Sequence, residues 1–146
     1  MSVGEKDLLP GVIENLTGNV LFHGIQVKPG MPTMLSVVNG TPVLSLSGNP
    51  FAVEALFEVL AGGYLTDMEA SRYLQKNQMK ILKQTFVKTG KMKRIVKGRC
   101  DESGVYLPQI QKNGQLKNGI GSNCLVIFPE GERTYTEGEA VRVIRI

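Results

Sequence analysis

The dipeptide Asn39-Gly40 constrains this chain more than any other feature, because it stands between two short apolar runs, residues 34–38 and 43–46. Both central positions of a two-residue hairpin turn of type I′ need left-handed backbone, which asparagine and glycine tolerate best. A β-hairpin is therefore predicted here. Outside it lie two further punctuated turns, Lys28-Pro29-Gly30 on one side and Ser47-Gly48-Asn49-Pro50 on the other. A plain hairpin needs neither. The extra glycines and prolines mark places where backbone is shaped to meet something.

Working outward, residues 5–16 carry apolar side chains at Leu8, Leu9, Val12, Ile13 and Leu16, a helical spacing with Gly18 where a left-handed cap usually sits. Pro10 then belongs to the first turn. Residues 20–27 read as a strand and 51–60 as a helix. A second helix is expected over 65–79, with Thr66 and Glu69 as its capping box. Beyond it the period shortens. Segments 80–87, 92–99, 104–108, 124–128 and 140–146 are β-branched or alternating and are separated by glycine-bearing turns, a pattern that suggests a small antiparallel all-β barrel or sandwich. In "AVRVIRI" apolar and arginine residues alternate, which implies one buried and one wet face.

Charge divides at the same place. Up to Leu74 there are three basic and seven acidic residues, a net of −4. From Gln75 onward there are fourteen basic and six acidic, a net of +8, and the two sum to the overall +4. Two units are expected, an α/β unit over 1–74 and a β-barrel over 75–146. With 42% apolar and 21% charged residues the composition is that of a globular chain. No apolar run approaches the roughly 20 residues of a membrane span, and no signal sequence opens the chain, so a cytoplasmic protein is expected. Cys100 and Cys124 lack metal-ligand spacing and read as two buried thiols.

Ser47 and Asn49 can cap the helix after them, Pro50 suits its first turn, and Gly48 lets backbone approach a ligand. That is an ordinary capped helix or a phosphate-attracting one. Lys28 is equally a solvated turn lysine or a cation held to meet an anion. His23, the single histidine, reads as packed. Glu5, Asp7 and Glu14 are helix carboxylates, two of which could hold magnesium near a phosphate. The run "KTGKMKRIVKGR" reads as the wet side of a hairpin. With few interleaved aromatics, nucleic acid is not favoured as a partner.

"SVGEKD", "FHGIQVKPGMP" and "SLSGNP", in that order and spacing, closely resemble the C-terminal part of the molybdopterin molybdenumtransferase family, the MoeA proteins and the E-domain of gephyrin. The tail "SNCLVIFPEG" through "YTEGEAVRVIRI" resembles the end of that family's terminal β-barrel. The resemblance implies the C-terminal half of a molybdopterin-binding three-layer α/β domain followed by the barrel. It implies an enzyme that inserts molybdate into adenylylated molybdopterin with release of AMP and with Mg2+ as cofactor. Asp7 and Lys28 are implied as catalytic, Asp7 also as a magnesium ligand. Ser2, Gly4, Lys28, Pro29, Gly30, Gly48, Asn49 and Pro50 are implied as substrate-binding. A homodimer is implied as well. Met31, Gly24 and Ser47 depart from the family, which has lysine at the first two positions and proline at the third. Because the chain starts inside what resembles a Gly-Gly-Val-Ser-Val-Gly turn, a fragment of a longer protein is expected, inactive alone. The alternative is a non-catalytic oxyanion-binding or scaffold module.

Overall fold

The computed structural model describes residues 8–61, 76–108 and 121–146. The boundary expected at 74/75, the capping box at Thr66 and Glu69, and Ser2, Gly4, Glu5 and Asp7 lie outside them.

Helix α1, Leu9–Asn15, has Pro10 in its first turn as expected. Its end is a Schellman motif: Thr17 N–H donates to Glu14 O and Gly18 N–H to Ile13 O, both at 2.9 Å. The left-handed residue is Thr17, at φ 54°, and not the glycine. Gly18 serves packing instead, since a Cβ there would sit 2.8 Å from both Ile13 Cγ2 and Val38 Cγ2. Of the five apolar positions on this stretch only Ile13 is fully buried, while Leu8, Val12 and Leu16, one helical stripe, are exposed.

Strands β1 (Asn19–His23), β3 (Met34–Val38) and β4 (Thr41–Ser45) form an antiparallel sheet in the order β1-β3-β4. The β3–β4 hairpin pairs Val38 with Thr41, and Asn39 and Gly40 lie at φ 50° and 78°, both left-handed as the type I′ turn requires. The single strand expected over 20–27 is broken at Gly24, φ 89°, into β1 and the two-residue β2 (Val27–Lys28). His23, expected to be packed, is exposed.

Helix α2, Pro50–Leu56, continues into a π-helical turn, Phe57–Ala61, so the expected helix is present with a changed winding at its end. The helix expected over 65–79 cannot reach Met79, because Asn77–Ile81 is strand β5, paired along its length with β11 (Ala140–Arg145). The strand expected over 80–87 is likewise split. Leu82 N–H turns to Glu139 O (2.8 Å) and Lys83 N–H to Val105 O (3.0 Å), and β6 (Phe86–Lys88) then pairs with β10 (Arg133–Tyr135), which no sequence signal had suggested.

With β7 (Lys93–Cys100), β8 (Val105–Tyr106) and β9 (Cys124–Phe128), the larger sheet runs β2-β7-β9-β11-β5, with β8 also on β7. Every pairing is antiparallel except β2 with β7. In place of the closed all-β barrel expected, the described residues form an open path from β2 to β5. Between the end of β5 and β8 there is a single bridge, Leu82 with Val105, and no ladder.

The sheet is a middle layer between two apolar clusters. Cys124, Val126 and Phe128 join Val96, Cys100, Val141 and Val143 on one face; Leu125 and Ile127 join Ile95 and Ile144 on the other. That explains the unbroken apolar run in β9, whose five residues are all buried. It also corrects the reading of β11: Arg142 and Arg145 are exposed, but Ile144 is buried against the second cluster. Ala55 and Leu56 of α2 complete that cluster, with Ile25, Val27, Leu46, Phe51 and Val59 at its margin. Lys97 ties β7 to α2 by an ion pair with Glu54 and stands 5.5 Å from the centre of the Phe51 ring.

Candidate functional site: a basic groove at Lys28

The turn after β2 is built to hold one conformation. Ile25 N–H donates to Met31 O (2.9 Å), Gly24 N–H to Thr33 O (2.8 Å), and the buried Thr33 hydroxyl to Gly30 O (2.7 Å). The Lys28–Pro29 peptide is cis. Gly30, at φ 105°, lies directly on Leu56 of α2. The turn is thus braced from within and seated on the second cluster.

Lys28 leaves this frame exposed. Through the parallel pairing of β2 with β7 it stands in register with Arg94, as Val27 does with Lys93. Neighbouring strands lie about 4.8 Å apart, so the two cationic side chains leave the sheet as neighbours on one face, and both line the same groove. Like charges facing across a strand pair destabilise it unless something neutralises them. The groove at this point, about 170 Å³, is lined by Lys28, Thr89, Gly90, Lys91, Met92 and Arg94, three cations and no carboxylate. Among the described residues Lys28, Lys91 and Arg94 have no ion-pair partner, whereas Lys76, Lys97 and Arg133 each have one. Chemically the groove suits a small anion with several oxygens: an ammonium acts as a point charge and a guanidinium donates two parallel hydrogen bonds.

The other expected site residues are placed less closely. Asn49 caps α2, its side-chain oxygen accepting from Ala52 N–H at 3.1 Å, with Pro50 in the first turn. Nothing lies within 4 Å of where a Cβ on Gly48 would be. Ser47 is buried. None of Gly48, Asn49 and Pro50 lines the groove at Lys28. Ser2, Gly4 and Asp7 lie outside the described residues, and among the described residues no group of three or more His, Cys, Asp or Glu is placed to hold a metal ion. Arg94 and Lys91 were passed over in the sequence as part of a wet basic run. Their only local signal is that the run is interrupted by Gly90, which has φ 89° and carries the chain around the turn between β6 and β7.

A family described as a probable molybdopterin binding domain matches residues 1–67. A molybdopterin molybdenumtransferase of Staphylococcus aureus (strain COL) is 27% identical over 99% of this chain and 36% of its own length. That of Bacillus subtilis (strain 168) is 28% identical over the whole of this chain and 35% of its own. The chain is similar along its length to part of the molybdopterin molybdenumtransferases. The solved MoeA protein of Pyrococcus horikoshii agrees, with a TM-score of 0.79 and 27% identity over 95% of this chain and 34% of that one. The chain thus spans about a third of the length of the relatives it matches.

Proposed function

We propose that this chain serves molybdenum cofactor biosynthesis as part of a molybdopterin molybdenumtransferase, its basic groove holding molybdate for insertion into adenylylated molybdopterin with release of AMP. The observation that carries the reading is the register of Lys28 with Arg94 in a groove without carboxylates. A tetrahedral dianion bound there offers oxygens to both cations at once. Positive charge fixed on those oxygens draws electron density from the metal as the dithiolene sulfurs approach, which is stabilisation aimed at the reacting centre.

On this reading Lys28 is catalytic, and Pro29 and Gly30 hold it. Residues 1–74 are the C-terminal half of a three-layer domain, and the rest is the family's terminal β-domain. From resemblance alone the same reading takes Ser2, Gly4, Gly48, Asn49 and Pro50 as contacts to the pterin substrate, Asp7 as catalytic and as a magnesium ligand, and a cytoplasmic setting. It also takes a homodimer, for which the exposed apolar residues Val12 on α1, Leu8 and Leu16 at its two caps, and Val20 and Leu21 on β1 offer apolar surface to cover. Among the described residues no helix is long and apolar enough to cross a membrane.

Calorimetric titration of molybdate into the chain tests the groove. Loss of one charge-assisted contact corresponds to about 1.5 to 3 kcal/mol, so Lys28→Ala is expected to weaken binding by about tenfold or more. Equal affinity in wild type and variant would refute the oxyanion role. A second reading, an oxyanion-binding module without catalysis, is favoured by a described lining of Lys28, Thr89, Gly90, Lys91, Met92 and Arg94, which holds neither carboxylate nor histidine to move a proton. Molybdate binding without turnover of adenylylated molybdopterin, measured on a longer protein that carries this chain together with the remainder found in its relatives, would select it.

A further inference from the structure

Lys88 is among the largest side chains fully buried in the described structure, at 1% exposure. It occupies a position where the strand alternation calls for an apolar residue. In β6 Phe86 turns inward and stacks on Phe128 (centroids 4.6 Å apart), Val87 is exposed, and Lys88 turns inward again. A buried ammonium is costly to desolvate, and among the described residues Lys88 forms no ion pair. Its Nζ donates instead to two backbone carbonyls, those of Gly90 (2.8 Å) and Gly131.

Those two carbonyls belong to facing turns, one of which forms the wall of the basic groove. Gly131 N–H donates to Lys91 O (2.8 Å), and Gly90 N–H donates to the Glu132 carboxylate (3.0 Å). Gly90 and Gly131 are both left-handed, at φ 89° and 93°, so each turn presents its carbonyl inward without side-chain strain. The peptide groups on either side of Lys91 are therefore tied to the turn that precedes β10, one directly through Gly131 N–H and the other through Lys88, which donates to one carbonyl in each turn. An apolar residue in this place would fill the space but leave both carbonyls without their donor.

We propose that Lys88 is the positioning residue of the groove: its buried ammonium holds the turn over residues 89–92 so that Lys91 faces the anion shared by Lys28 and Arg94. The inference rests on the groove reading above. Lys88 itself does not line the groove and acts through Lys91. Two consequences follow from linkage. Removing the ammonium must weaken anion binding only as far as Lys91 contributes to it. Conversely, a bound anion must tighten the hydrogen bonds that Lys88 makes.

The test uses the full chain with molybdate as the probe. Lys88→Met and Lys91→Ala are each expected to lower affinity about fivefold, and the double variant no further than either alone. The amides of Gly90, Lys91 and Gly131 should exchange faster in Lys88→Met while those of β9 keep their protection. A Lys88→Met protein that binds molybdate as wild type does, or a double variant whose losses multiply, overturns the positioning role and leaves the groove standing. A wild-type chain that binds no molybdate removes the groove reading itself, and the positioning role with it. If Lys88→Met does not fold, the reciprocal effect is read in the wild type. On titration with molybdate the Lys88 ammonium protons and the Gly131 amide should exchange more slowly by NMR, and unchanged exchange at saturation overturns the proposal.

Discussion

Gly30 lies so close to Leu56 that a Cβ on it would stand 2.0 Å from the leucine Cδ1. The turn bearing Lys28 is therefore set by its seat on α2 as much as by its own hydrogen bonds. Gly30→Ala meets two penalties, backbone at φ 105° and a clash inside a packed cluster. Together they should destabilise the chain by about 2 to 5 kcal/mol. Gly40→Ala, also left-handed but in open space, should cost only about 1 kcal/mol. Equal denaturant midpoints for the two variants would show that the contact with Leu56 does not matter.

Thr17 is a β-branched residue in the left-handed position that closes α1. Its hydroxyl recovers little, donating to the neighbouring Leu16 carbonyl on an exposed surface. Thr17→Gly removes the steric penalty and gives back part of the gain through the greater freedom of the unfolded chain. A net rise of about 0.5 to 1 kcal/mol is expected, with slower exchange of the Gly18 amide. A fall in melting temperature would count against the strain.

Asn49 closes the other helix, and the structure gives it one definite bond, to Ala52 N–H. Asn49→Ala should cost about 1 kcal/mol, and Asn49→Asp should retain most of that stability. If Asn49 also touches substrate, molybdate affinity still should not change in the alanine variant, since the residue does not line the groove at Lys28. A change of severalfold would place the two turns in one site.

What could be read from the sequence was whatever depends on near neighbours. Asn39-Gly40 demanded its hairpin through backbone angles alone, and Asn49-Pro50 its helix start. The run at Cys124–Phe128 was legible as a strand, but the reason for its unbroken apolarity, a cluster on each face, is a property of the assembled sheet. The misreadings share one cause. β5 took Asn77–Ile81 from an expected helix because β11 supplies it with a partner, and β10 formed from Arg133–Tyr135 because β6 lies opposite. Lys28 could be singled out by its turn and by resemblance. Arg94 could not, since its place beside Lys28 is fixed by a parallel register between segments 66 residues apart, positions 28 and 94.

The thiol of Cys124 is buried with the Cys100 thiol beside it, and burial first, then that neighbour, pushes its pKa up from 9.0 to about 12. The folded chain thus favours the neutral thiol. Stability from this group is complete below pH 9.0, the unfolded value, and is lost as pH rises from there toward about 12. One proton is linked, so the wild type should lose up to about 1.4 kcal/mol per pH unit in that window relative to Cys124→Ala. At pH 8 the native thiol should be inert to iodoacetamide and should react only after denaturation, because the nucleophile is the thiolate and the fold suppresses it. Parallel stability profiles of wild type and Cys124→Ala between pH 9 and 11, or quick native labelling at Cys124, would contradict this account of the site.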